Sequence, residues 1–171
     1  MKTLEQHISE YAHYHRDKRN ILTHYVGIPL IVFALLALLI RPAVNVSLPL
    51  VGQLIVSPAL IVWLAGNIFY VLLDKRLGAA MIILTGALLY GAHALAPLST
   101  FAWLSVSISV FVAGWILQFV GHDFEGKKPA FVDDIMGLVI GPLFVVTEIA
   151  FELGLRSELK ATVEHNAGPI R

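Results

Sequence analysis

The sequence predicts an all-α protein: a polytopic membrane helix bundle. Of its 171 residues, 57% are hydrophobic and only 14% are charged, whereas soluble domains average about 25% charged residues. The apolar residues are concentrated in long runs, each close to the roughly 20 residues with which an α-helix crosses a bilayer. The formal net charge is zero, so nothing indicates nucleic-acid binding. The chain has no cysteine, which excludes disulfides and thiolate metal sites.

Four apolar runs are predicted to be transmembrane helices, because charged residues or proline end each of them. These runs are residues 21–40, 48–73, 77–95 and 100–120. A short amphipathic helix over 4–18 is predicted to precede them, with Asn20 as the N-cap of the first transmembrane helix.

A fifth apolar run, residues 135–153, contains Gly141-Pro142 and Glu148. It either crosses the membrane or breaks at Gly141-Pro142 and re-enters. In a straight crossing helix, Glu148 would lie about 21 Å below Asp134 and far from the membrane surface. We expect one domain over 1–171, with an N-terminal segment (1–20), the bundle (21–153) and a polar tail (154–171).

The distribution of basic residues predicts the orientation of the bundle. The N-terminal segment and the loops after the second and fourth runs carry eight lysines and arginines, whereas the two opposite loops carry only Arg41. Basic loops are retained in the cytoplasm, so we expect a multi-pass protein of the bacterial inner membrane or the endoplasmic reticulum. Lys127 and Lys128 are also suited to contacts with anionic membrane lipids.

This orientation places several histidines at one membrane face. His15 and His24 flank the start of the first run, and His122 follows the fourth. His15 and His24 converge only if the chain turns between them, and the charged stretch 16–20 provides such a turn. Imidazole and carboxylate groups without thiolates suit Fe, Zn or Cu, although a single histidine at a membrane interface is more often structural. A metal site on the cytoplasmic face is therefore one of two interpretations of these histidines; the other is a structural role at the membrane interface.

Three motifs resemble those of the 2-hydroxy fatty acid dioxygenase family. They are Tyr11-x3-His15-x4-Asn20-x3-His24-x2-Gly27-Ile28-Pro29, then Trp115-x2-Gln118-Phe119-x-Gly121-His122-x-Phe124-Glu125, and Pro142-Leu143-Phe144-x3-Glu148. The resemblance covers residues 4 to 155 and implies Fe(II)-dependent oxidation of a 2-hydroxy fatty acid by O2, giving an acid one carbon shorter.

The resemblance also implies roles for particular residues. His15, His24 and His122 are the implied iron ligands. The candidates for further ligands are Glu125, which is the first choice among the carboxylates, Asn20 and Asp17. The residue expected to pair with the substrate carboxylate is Lys128, Lys127 or Arg16. Two other classes remain open: a di-metal lipid hydroxylase or desaturase, and a non-catalytic transporter or scaffold with histidines at the membrane interface.

Overall fold

The computed structural model describes residues 2–49 and 52–171, without the side chains of Leu48 and Phe131. The predicted helical fold is confirmed, with a minor two-stranded sheet in addition. In chain order the elements are α1 (Leu4–Ala12), α2 (Lys18–Leu39), β1 (Val44–Leu48), β2 (Gly52–Val56), α3 (Pro58–Leu73), α4 (Lys75–His93), α5 (Thr100–Glu125), a 3-10 turn (Ala130–Val132), α6 (Met136–Glu152) and α7 (Ser157–Ala167).

Within the described residues, three helices are long and apolar enough to cross a membrane. They are α2, α4 and α5, with 22, 19 and 26 residues. Helices α6 and α7 pass the same test together but are bent by 115° at the break between them. Helix α3 is apolar and has 16 residues, about 24 Å at 1.5 Å per residue.

The predicted second span, 48–73, was wrong over its first part. Val44–Leu48 pairs antiparallel with Gly52–Val56, because alternating valines favour an extended strand. The helix begins only at Pro58, where Ser57 caps it by accepting a hydrogen bond from the Leu60 amide at 3.3 Å. Proline at the first helical turn and serine before it are typical start signals.

The N-terminal helix ends earlier than predicted, at Ala12. The predicted N-cap, Asn20, was also wrong: Asp17 caps α2 by accepting a hydrogen bond from the Arg19 amide at 2.8 Å. The carboxylate of Asp17 also pairs with the Arg19 side chain, which lowers the pKa of Asp17 to about 2. The predicted turn between His15 and His24 is present. It occupies residues 13–17 rather than 16–20, so Asn20 lies inside α2.

Helix α6 does not break at Gly141-Pro142; it is continuous from Met136 to Glu152. Both of its flanks contact the histidine-bearing end of the bundle. Asp133, just before α6, accepts a hydrogen bond from Tyr14 at 2.7 Å, and Glu152 accepts one from Tyr25 at 3.0 Å. The helix is about 25 Å long, and both of its ends therefore lie at the histidine-bearing end; the chain bends by 115° between α6 and α7. The predicted tail contains α7, which packs on α1.

Helices α2 and α5 run antiparallel and in close contact. The Trp103 indole near the start of α5 donates to the Ala37 carbonyl near the end of α2, at 2.8 Å. Glycines allow the two backbones to approach: a Cβ on Gly114 would lie 2.9 Å from the Gly27 carbonyl oxygen. This pairing fixes the distance between the first and second sequence motifs.

Candidate metal centre

Three histidines from distant parts of the sequence meet where α1, α2 and α5 converge. His15 lies in the turn after α1, His24 in the second turn of α2, and His122 in the last turn of α5. All three are buried, and one ligand nitrogen of each lies within 4.8 Å of the others. Among the described residues, these three histidines form the cluster whose spacing suits a metal ion.

Backbone carbonyls orient two of these imidazoles. His15 Nδ1 lies 2.8 Å from the Tyr11 carbonyl oxygen, and His24 Nδ1 lies 2.8 Å from that of Asn20. A carbonyl only accepts, so both Nδ1 atoms donate and both Nε2 atoms carry lone pairs. These two Nε2 atoms face each other at 3.1 Å. For metal–nitrogen bonds of about 2.1 Å, two ligands of one ion lie about 3.0–3.4 Å apart, so the spacing of His15 and His24 fits a metal ion, with a His122 nitrogen within 4.8 Å as the third donor.

The protonation state of His15 also suits a ligand. Burial, together with the adjacent His24, lowers the pKa of His15 well below its ordinary value. His15 is therefore neutral, which is the form that binds metals. The Tyr11 ring stacks parallel on the His15 ring, with centroids 4.2 Å apart and an interplanar angle of 2°, and restricts its rotation.

Glu125 holds the turn that carries His15. One of its oxygens accepts from the backbone amides of Arg16 and Asp17 at 2.9 and 2.7 Å, and from the Asn20 side-chain amide at 3.2 Å. Its other oxygen accepts from Arg171 at 3.2 Å. A carboxylate that accepts several hydrogen bonds is strongly anchored. Glu125 and Asn20 therefore link α5 to the turn beside the histidines.

Glu148 contributes to the same region through Arg16. The Arg16 guanidinium pairs with Glu148 at 2.8 Å, and both side chains are buried. The same guanidinium donates to the carbonyls of Ala12 and His15, at 3.0 and 2.8 Å. The distance predicted for Glu148 from the membrane surface applied to a straight crossing helix. In the structure, α6 contacts the histidine-bearing end at both of its ends, and Glu148 reaches the turn beside His15.

An apolar cavity begins at the histidines and runs between α2, α5 and α6. Its volume is about 200 Å³, and it reaches from His24 and His122 to Leu35 and Phe111. His24 and Leu35 are 11 residues apart on one helix, about 16 Å along its axis. The cavity is therefore elongated and mostly hydrophobic, with the histidines at one end.

A second, polar cavity lies beside the first, on the outer side of Tyr11. We call it the vestibule; its volume is about 510 Å³, and its walls carry charged side chains that include Lys2, Glu10 and Lys127. Tyr11 lines both cavities, as do Ala130 and Gly137. The Tyr11 ring therefore forms part of the wall between a polar space and an apolar one.

Not all of the residues that the sequence predicted for the site lie in it. The three histidines come together, and Glu125 and Asn20 lie next to them. Lys128 does not line the apolar cavity; it lies at the surface and pairs with Asp133 at 2.6 Å. Sequence reasoning overlooked Tyr11 and Gln118 as site residues, although both belong to the motifs in which the histidines occur.

A bundle of apolar helices with a buried group of three histidines at one end defines a membrane-type protein with a candidate metal centre. The chain belongs to the family described as "2-hydroxy-palmitic acid dioxygenase Mpo1-like", whose model matches residues 1–153. It is 34% identical over 166 residues to the "2-hydroxy-palmitic acid dioxygenase MPO1" of Saccharomyces cerevisiae, covering 95% of this chain and 88% of that protein. No solved structure is significantly similar to this chain.

Proposed function

We propose that this protein is an Fe(II)-dependent dioxygenase that converts 2-hydroxy fatty acids to fatty acids one carbon shorter. The group of three buried histidines carries the proposal, since its donor atoms suit a metal ion and the chain belongs to a family named for this activity. The overall reaction balances when the lost carbon leaves as CO2 and one water forms.

In this proposal, His15, His24 and His122 hold the iron. Fe(II), when bound, supplies the open coordination positions at which O2 and a 2-hydroxy acid meet. The residues of the chain provide the geometry. Glu125 and Asn20 fix the turn that carries His15, and two backbone carbonyls fix the His15 and His24 tautomers. Such outer contacts usually change metal affinity by 10–100-fold when they are removed.

The apolar cavity is suited to the acyl chain of the substrate. It joins the histidines to the space between α2, α5 and α6, so the chain lies among helices while the polar head meets the metal. Burial of an acyl chain contributes about 0.8 kcal/mol per methylene. We place the active site on the cytoplasmic face, as the basic loops predict.

A di-metal hydroxylase is less compatible with the site. It requires a second set of ligands, whereas the metal-type clustering in residues 2–49 and 52–171 is confined to these three histidines. A transporter or scaffold would have no need for two imidazoles with facing lone pairs.

The direct test is incubation of the purified protein with 2-hydroxypalmitic acid under O2, with and without added Fe(II). We expect the acid one carbon shorter only with both iron and oxygen, and near-stoichiometric iron in the active protein. Palmitic acid, which lacks the 2-hydroxyl group, is the matched control and should not be shortened. An active preparation that is free of metal contradicts the proposal.

A further inference from the structure

Two side chains that line the apolar cavity carry hydrogen-bond donors without a partner in the described part of the chain. Gln118 is 5% exposed, and its side-chain nitrogen makes no hydrogen bond. Tyr11 is 8% exposed, and its hydroxyl group takes part in none of the hydrogen bonds among the described residues. Both side chains line the cavity that contains His24 and His122. A buried polar group without a partner is destabilising, so the Gln118 nitrogen indicates a ligand, and the Tyr11 hydroxyl offers a second donor at the same cavity.

The surroundings of Tyr11 place its hydroxyl group at the polar end of the cavity. Its ring lies against those of His15 and Phe144, with centroids 4.2 and 4.8 Å away. Its hydroxyl oxygen would lie 2.9 Å from a Cβ added to Gly141. The hydroxyl therefore points across the cavity towards α6. A tyrosine hydroxyl can donate a hydrogen bond.

Gln118 approaches the same region from α5. It precedes His122 by four residues, one helical turn, so the two side chains lie on one face of the helix. Its amide nitrogen lies against Gly27, where a Cβ would collide with it. A ligand whose head is at His122 is therefore within one turn of the Gln118 amide.

The neighbouring cations are engaged elsewhere. Arg16 is paired with Glu148, and Lys128 with Asp133. The Lys127 ammonium donates to the His13 carbonyl at 2.7 Å and lines the vestibule. None of these three side chains lines the apolar cavity. The donors that the polar head of a ligand contacts in the apolar cavity are therefore uncharged side chains.

We propose that the Tyr11 hydroxyl and the Gln118 amide bind the carboxylate head of the substrate beside the three histidines. This assignment rests on the proposed function, and it names the groups that recognise the acid. Carboxylate oxygens only accept hydrogen bonds, and both side chains offer donors. A hydrogen bond to a charged acceptor is about twice as strong as one between neutral groups. The site should therefore distinguish an acid from its ester.

The test is a binding measurement that does not require turnover. Trp115 lines the cavity, so its fluorescence should report ligand binding, and Trp115→Phe should remove that signal. The ligands are 2-hydroxypalmitic acid and its methyl ester. The variants are Tyr11→Phe and Gln118→Leu, with Tyr14→Phe as the matched control, since the Tyr14 hydroxyl bonds to Asp133 near the surface.

We expect wild type and Tyr14→Phe to bind the acid more tightly than the ester. Tyr11→Phe should weaken acid binding by about tenfold and ester binding by less than about threefold, and Gln118→Leu should act in the same direction. Tyr11→Phe keeps the ring on His15, so its unfolding temperature should match that of wild type. Equal losses for acid and ester, or unchanged acid binding, overturn the assignment.

The same experiment separates this assignment from the proposed reaction. If the acid binds with the expected dependence on Tyr11 but no shortened product forms, the reaction is wrong and the binding assignment stands. If product forms with iron while Tyr11→Phe leaves acid binding unchanged, the reaction stands and the assignment is wrong. If wild type does not bind the acid at all, the substrate class itself is refuted.

Discussion

Replacement of Gly121 by alanine is expected to disturb the metal centre through the contact between α5 and α2. A Cβ at this position would collide with the Thr23 hydroxyl group and lie 2.5 Å from Asn20 Oδ1 and 3.3 Å from His24 Nδ1. These neighbours have little freedom to move. The Thr23 hydroxyl donates to the Asn20 carbonyl at 2.8 Å, and the Asn20 amide is bonded to Glu125. The two helices must therefore separate.

The magnitude follows from two opposing terms. Alanine in place of glycine stabilises a helix by about 0.8–1 kcal/mol, whereas overpacking of a close contact costs about 1–3 kcal/mol. The net loss in the free energy of unfolding is therefore at most about 2 kcal/mol. The effect on metal binding should be larger, because His24 and Asn20 are displaced together; we expect a 10–100-fold loss in affinity.

The matched control is Gly86→Ala in α4. Its Cβ would lie 3.6 Å from the Trp63 ring, an ordinary van der Waals distance, so this variant should be slightly stabilised and bind metal like wild type. Both variants would be purified in the same detergent, titrated with Fe(II) without oxygen, and melted. If Gly121→Ala binds Fe(II) with wild-type affinity and melts like Gly86→Ala, the close contact does not support the metal centre.

Three further predictions concern single side chains. His122→Ala should abolish stoichiometric Fe(II) binding, whereas His93→Ala at the far end of α4 should retain it; equal iron contents by elemental analysis would argue against the histidine site. Glu148→Ala leaves Arg16 as an uncompensated buried charge and should cost about 3–5 kcal/mol in the free energy of unfolding, whereas the double variant Arg16→Met, Glu148→Leu should lose less than the sum of its two single variants. Lys128→Ala should leave the unfolding temperature close to that of wild type, because its ion pair is exposed, and should leave the affinity for 2-hydroxypalmitic acid unchanged; a large loss of affinity would support the role predicted for Lys128 from the sequence.

The helical part of the fold was predictable because hydrophobic runs of span length leave few alternatives. The positions of α2, α4 and α5 follow from apolar content and the charged residues that bound them. The two strands at 44–48 and 52–56 were not predictable in this way. Averaged over a window, their residues are as apolar as those of a helix, and only the alternation of valine with polar residues in the first strand distinguishes them. The first part of the predicted second span was therefore misassigned.

The path of α6 also required the tertiary structure. A proline and two glutamates in an apolar run indicate a departure from a simple crossing helix, but not the direction of the chain. The direction is set by long-range contacts, such as Tyr14 with Asp133 and Arg16 with Glu148. These join residues more than 100 positions apart, and no local pattern encodes them.

The sequence by itself determined that the chain is a bundle of apolar helices with His15, His24 and His122 at one end. This follows from run length and from the spacing of charged residues, which act locally along the chain. The tertiary structure alone decided that His15 and His24 face each other with lone pairs, that Glu125 and Glu148 hold the turn between them, and that Tyr11 separates two cavities. These features depend on the close packing of α2 against α5 through glycines, a geometry that arises only when the helices meet.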